Sequence, residues 1–196
     1  MELLPWVFTT GWASGINAYL VVLVLGLAER FAGVPNVPEV LARTDVLVVA
    51  AVLFCADAIA DKIPYVDSTW DAVHTVIRPV VGAALGALVA GDASTLAQAV
   101  AAAAGGLTAL ASHAVKAGLR AAVNTSPEPA SNIGVSVGED VGVAAVVSLA
   151  VVAPWLAASI ALVLLLAGVT LVVLLLSRIR AWRRRRQGPV VAGGGR

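Results

Sequence analysis

From Leu156 to Leu176 the chain runs for 21 residues without a charged side chain and with nothing more polar than Ser159 and Thr170. At about 1.5 Å per residue such a helix crosses a hydrocarbon layer roughly 30 Å thick. Being apolar all round, it has no face to offer water. The remaining composition points the same way. Hydrophobic residues make up 60% of the 196, charged residues only 13%, and mean hydropathy is +0.93. A soluble domain carries about 25% charged residues. Here six of the 13 basic residues crowd between Arg178 and Arg186, which leaves the preceding sequence too few charges to cover a soluble surface. The expectation is an all-α integral membrane protein.

Five further segments are apolar enough to cross. Val73–Ala90 has His74 and Arg78 near its start, and Val46–Ala60 is short and ends in charge. Trp6–Ala28 is interrupted by Gly11, Gly15 and Asn17. Leu96–Leu119 carries Gly105 and Gly106 at its middle, and Ile133–Ala153 contains Glu139 and Asp140. Six helices form one transmembrane domain over residues 1–177, followed by a basic tail over 178–196 whose end is expected to be disordered. Three plus three spans give halves of opposite topology, the arrangement of inverted-repeat transporters. The halves share no convincing identity, but each has an interrupted span, at Gly11–Asn17 and at Ser136–Asp140, expected to be broken or re-entrant.

Lys and Arg favour the cytoplasmic side. With both termini cytoplasmic, Lys62, Arg78, Lys116, Arg120 and the arginines of 178–186 fall inside, and Arg30 and Arg43 are the outer exceptions. Residues 124–132 then form an inner loop and 31–45 an outer one. The start, Met1-Glu-Leu-Leu-Pro, lacks the basic region of a cleaved signal. Without the tail the chain is net negative, which argues against nucleic acid as a partner. Cys55 stands alone, excluding an internal disulfide or a cysteine metal cluster, and reads as an inert buried thiol. Trp6, Trp12, Trp70, Trp155 and Trp182 read as interfacial girdle residues.

The polar residues fall on helical stripes. Asp67, Asp71, His74 and Arg78 share one face by their spacing, as do His113, Lys116 and Arg120. Asp57 and Asp61 stand four apart beside Lys62, and Glu139 with Asp140 interrupts an otherwise apolar span. A charge at mid-membrane costs at least about 2.5–3.5 kcal/mol on insertion scales, so such residues pair, line a cavity or act. Basic side chains at helix ends can simply snorkel, but snorkelling needs no aspartates and histidines on the same stripes. Pro79 disfavours the α conformation at Arg78, and the helix is expected to open there.

Gly15-Ile-Asn-Ala-Tyr19, Ala60-Asp-Lys-Ile-Pro-Tyr-Val-Asp67, Ile77-Arg-Pro79, Gly82-Ala83, His113 with Lys116 and Arg120, and Glu139-Asp140 together resemble the family called domain of unknown function 4126. The resemblance covers roughly residues 10–150. It implies a multi-span protein of the bacterial inner membrane, and an association with recycling of polyprenyl-phosphate carriers for the cell envelope.

Arg is matched to phosphate oxygens. Lys62, Arg78, Lys116 and Arg120 are therefore the candidate ligands of a lipid phosphate. Asn17, Asp57, Asp61, Asp71, His74, His113, Glu139 and Asp140 are candidates for supporting them or for carrying coupling protons. The expected function is transport of an amphiphilic lipid phosphate, with membrane lipids as partners, no catalytic residue, no metal and no cofactor. Self-association into a homo-oligomer is left open. The alternative is a proton- or cation-coupled transporter of a small solute or divalent metal, built on the carboxylates. A structural or assembly role comes third, and is favoured if the stripes close on each other in pairs. A lipid phosphatase would need a serine and histidine pattern that is absent.

Overall fold

The computed structural model describes residues 3–63, 66–123 and 129–186. Among these there is no strand. Six helices run in order: α1 (Leu3–Ala32), α2 (Thr44–Ala60), α3 (Val66–Ala90), α4 (Thr95–Val123), α5 (Pro129–Val152) and α6 (Pro154–Arg186), with a 3-10 turn at Glu39–Ala42. Five of them, all but α2, are long and apolar enough to cross a membrane. α2, at 17 residues, is the short one, and it turns Val48, Val49, Val52 and Ile59 outward.

The helix ends follow from local chemistry. Gly33 and Gly91 close α1 and α3 with positive φ, +58° and +53°, the left-handed cap that glycine adopts without strain. Pro129 and Pro154 open α5 and α6, where a proline's missing N–H costs nothing.

α1 is the central post and touches every other helix. Its Trp6, Trp12, Val21 and Leu25 are buried against Leu85 and Val89 of α3, Val143 and Val147 of α5, and Ala157 and Ala161 of α6. Trp6 and Trp12 are thus core residues rather than girdle residues. They lie on the stretch of α1 from Pro5 to Ser14, which neighbours enclose almost completely. Cys55 is exposed, on the outward side of α2 rather than buried. By contrast α6 leaves most of its surface free, as its uniform apolarity allows in lipid.

One of the two expected interruptions is present. α1 breaks at Asn17, whose φ of −148° and ψ of 94° are not helical. α5 runs unbroken through Ser136–Asp140, because neighbouring helices supply polar partners to Glu139 and Asp140 without any opening of the backbone. α3 likewise continues through Pro79 and does not open at Arg78. The basic stretch begins as a continuation of α6 to Arg186, while residues 187–196 lie outside the described residues, as do 124–128 of the expected inner loop.

Candidate functional site

The break in α1 sets the chemistry of the bundle's middle. Asn17 caps the second half of the helix, its Oδ1 accepting from Leu20 N at 3.0 Å, as an N-cap side chain does. Its Nδ2 donates to Asp140 Oδ1 at 2.8 Å, tying α1 to α5. Carbonyls of the turn ahead of the break meet side-chain cations and donors. Ile16 O accepts from Lys116 Nζ at 2.9 Å, Gly15 O lies 3.5 Å from Arg78 Nη1, and Trp12 O accepts from Ser112 Oγ at 2.7 Å. The carbonyl end of a helix carries partial negative charge, and bare carbonyls in lipid would cost several kcal/mol. Asn17 therefore makes a half-helix terminus inside the membrane, and the basic residues of α3 and α4 satisfy it.

Around this terminus two groups of charges assemble. In the first, Arg78 is fully buried. Its Nη2 donates to Asp57 Oδ1 at 3.1 Å, and its Nη1 to Asp71 Oδ1 at 3.3 Å and to His113 Nδ1 at 3.1 Å. Because a guanidinium only donates, His113 Nδ1 must be an acceptor. The proton then sits on Nε2, where Asp71 O accepts it at 3.1 Å. Asp57 Oδ1 also accepts from Trp70 Nε1 at 2.7 Å. His74 lies beside this group, its Nδ1 2.8 Å from Trp70 O and its Nε2 3.0 Å from the Tyr19 hydroxyl.

In the second group Asp61 Oδ2 accepts from Lys116 Nζ at 2.7 Å and from Arg120 Nη2 at 2.8 Å. Glu139 Oε2 faces the same two cations, at 3.5 and 3.2 Å. Asp67 Oδ2 lies 3.9 Å from Arg120 Nη1. The structure thus brings together Asn17, Asp57, Asp61, Asp71, His74, Arg78, His113, Lys116, Arg120, Glu139 and Asp140. It does not bring in Lys62, which is half-buried and donates to Ala58 O of its own helix at 2.8 Å.

Trp70, Tyr19, Thr75, Ser112 and Asp67 complete the network and were missed as site residues. Trp70 stands four residues before His74 on the same stripe, and its indole N–H was the readable signal. Ser112 adjoins His113, but nothing in the sequence tells that its hydroxyl meets a broken helix.

Six carboxylates thus stand near three cations: Asp57, Asp61, Asp67, Asp71, Glu139 and Asp140 against Arg78, Lys116 and Arg120. Among the described residues Asp57 Oδ2, Asp61 Oδ1, Asp71 Oδ2 and Arg120 Nε are buried without a hydrogen-bond partner. Among them too, no three His, Cys, Asp or Glu side chains converge as a metal site would require.

A cavity of about 310 Å³ opens beside the second group, between α1, α4, α5 and α6. Its walls are Trp12, Ile16, Val115, Leu119, Leu164 and Leu165, with Gly138, Gly142 and Gly168, and its polar groups are Lys116, Glu139 and Ser112. A second space of about 220 Å³, bordered by Asp71, Thr75 and Arg120, lies between α3 and α4. Past Arg78 toward Ala90 the same two helices pack backbone against backbone. A methyl added at Gly82 would come within 2.8 Å of Gly105 O, and one at Gly86 would collide with Ala101 O. The bundle is polar along one half of α3 and α4 and sealed by small residues along the other.

A family model described as domain of unknown function (DUF4126) matches residues 4–174. No match was found among curated proteins or among solved structures.

Proposed function

The chain belongs to the DUF4126 family and is a multi-pass membrane protein, and we propose that it carries an amphiphilic lipid phosphate across the bilayer, of the polyprenyl-phosphate kind recycled in cell-envelope synthesis, without chemistry on it. The observation that supports this reading is the 310 Å³ cavity, apolar along its walls and ending on Lys116, with Arg120 behind Glu139. Its lining, apolar along the walls with Lys116 and Glu139 among them, suits an amphiphile. A prenyl chain has Val115, Leu119, Leu164 and Leu165 to lie against. The headgroup has an ammonium and a guanidinium within reach, and the guanidinium offers a fork matched to phosphate oxygens. On this reading the protein sits in the bacterial inner membrane, with the charged half of the bundle and the arginines at the end of α6 facing the cytoplasm. Leu4 and Pro5 pack beside Trp155 at the start of α6, so the N-terminal end of α1 lies on the opposite side rather than on the cytoplasmic side first expected.

Native mass spectrometry of the gently purified chain is the test, alongside flipping of a labelled prenyl phosphate in proteoliposomes. The expected result is a co-purifying prenyl phosphate, with flipping lost in Arg120→Lys, where a point charge replaces the fork. Normal flipping in Arg120→Lys, with no phosphate lipid retained by the purified chain, sinks the proposal.

A second reading, proton- or cation-coupled transport of a small solute, draws on the carboxylate excess and on the polar space at Asp71 and Arg120. It predicts the reverse order: Asp61→Asn abolishes flux and Arg120→Lys is nearly silent. If neither lipid nor solute moves and both changes alter stability alone, the paired charges serve structure.

A further inference from the structure

For a phosphate arriving in the cavity, the place beside Lys116 and Arg120 is already taken. Glu139 Oε2 lies 3.2 Å from Arg120 Nη2 and 3.5 Å from Lys116 Nζ, where a headgroup oxygen would sit. Asp61 Oδ2 holds both cations from behind, at 2.7 and 2.8 Å. The two acids differ in freedom. Asp61 is buried at the end of α2, and its backbone carbonyl also accepts from Arg120 Nη1 at 3.0 Å. Glu139 belongs to the cavity wall, its side chain 16% exposed, and meets the cations through one oxygen. Its helix scarcely touches α4, and a Cβ at neighbouring Gly138 or Gly142 would meet nothing within 4 Å. There is room for the carboxylate to swing away.

We propose, resting on the lipid-phosphate reading above, that Glu139 is a stand-in for the substrate: its carboxylate occupies the Lys116–Arg120 pair while the cavity is empty, and a proton taken from cavity water releases the pair to a phosphate headgroup. One proton binds one carboxylate for each anion seated; when the anion leaves, the proton leaves and the carboxylate returns. The exchange swaps one negative charge for another, so the two cations are never left bare in a medium where an unpaired charge is costly. Asp61 stays in place and keeps them aimed.

The groups facing Glu139 are consistent with one exchangeable position. α4 supplies Lys116 and Arg120, α2 supplies Asp61, and Asp67 of α3 lies behind Arg120. Asp140, next in sequence, is turned to Asn17 of α1. α6 lines the cavity with Leu164, Leu165 and Gly168, none of which titrates.

The test titrates the full chain in phosphatidylcholine nanodiscs with a fluorescent prenyl phosphodiester, whose single charge does not change near neutrality. Wild-type affinity should rise as pH falls, by up to about tenfold per pH unit, the limit for one linked proton. Glu139→Gln should bind with the wild type's acid-limit affinity at every pH, its slope gone. Calorimetry of the wild type in two buffers of different ionisation enthalpy should show about one proton taken up per lipid at neutral pH. That measurement decides the matter even if the variant does not fold. Lipid binding with no proton uptake, or a slope that Glu139→Gln retains, overturns the stand-in and leaves the lipid reading intact. A wild type that binds neither this probe nor a prenyl monophosphate at any pH ends the lipid reading, and the stand-in with it.

Discussion

Arg78 shows why a buried cation is hard to replace. Its two terminal nitrogens meet Asp57, Asp71 and His113 at 3.1–3.3 Å, from three helices, with Gly15 O beyond them. A lysine ammonium carries the charge but cannot span that set from one point. Removing one partner of a buried pair typically costs about 3–5 kcal/mol, because the other charge is left uncompensated. Arg78→Gln should therefore lower unfolding free energy by roughly that amount in thermal or denaturant melts in detergent, and Arg78→Lys by less. The Asp57→Asn, Arg78→Gln double variant should cost less than the two singles together, with a coupling of about 0.5–3 kcal/mol. Strict additivity would mean that the 3.1 Å contact contributes nothing. Arg78 borders neither cavity described and is held by Asp57, Asp71 and His113, so on the lipid reading the expected effect of its loss on affinity follows from stability rather than contact.

At the level of the helices, some features were legible and others were not, and the difference is physical. The stripes of α3 and α4 could be read because a helix repeats every 3.6 residues, so spacings of three and four put Asp67, Asp71, His74 and Arg78 on one face whatever the partner. The interruption at Asn17 could be read from glycines and an asparagine inside an apolar run. The same reasoning overreached at Glu139 and Asp140. Polar residues in a span look alike whether the backbone opens or a neighbour answers them, and here Arg120 and Asn17 answer. Lys62 was misplaced for a related reason: it sits at the end of α2, where one turn decides between the cluster and its own helix's carbonyl. Pairing across helices, as between Trp70 and Asp57 or Ser112 and Trp12 O, depends on tertiary approach that no single-chain periodicity encodes. Asn17 itself gives the prediction. Asn17→Ala removes a cap, worth about 1 kcal/mol and up to about 2, together with the bond to Asp140. α1 should then be destabilised, and hydrogen exchange at Leu20 and the residues following it should quicken. Unchanged exchange there would show that the break is held by packing and not by the side chain.

The whole molecule combines a polar half with a sealed one. From Asp67 to Arg78 on α3, and from Arg120 back to His113 on α4, charged and imidazole groups line the interface, whereas from Gly82 onward glycine and alanine bring the backbones together. Such contact suits helices in lipid, where association rests on close van der Waals approach rather than on hydrophobic burial. The charged network therefore stops near mid-bundle at Arg78, and access to it runs along the 310 Å³ cavity at Lys116 and Glu139 or through the smaller space between α3 and α4. The first of these can be closed without touching a charge. Gly138 lines the large cavity, and a Cβ there would meet nothing within 4 Å. Gly138→Leu places an isobutyl group in that space and replaces a residue that costs a helix interior about 1 kcal/mol relative to alanine. Thermal stability should hold or rise slightly, while affinity for a prenyl phosphate should fall by about tenfold, the loss of about 1.4 kcal/mol of binding. A destabilised Gly138→Leu would mean that the wall is packed rather than open, and a stable one with unaltered affinity would place the lipid elsewhere. Gly134, also without neighbours within 4 Å on α5 but outside the cavity lining, supplies the matched control. Gly134→Leu makes the same gain in helix preference with no group in the lipid's path, so only the cavity position should separate stability from binding.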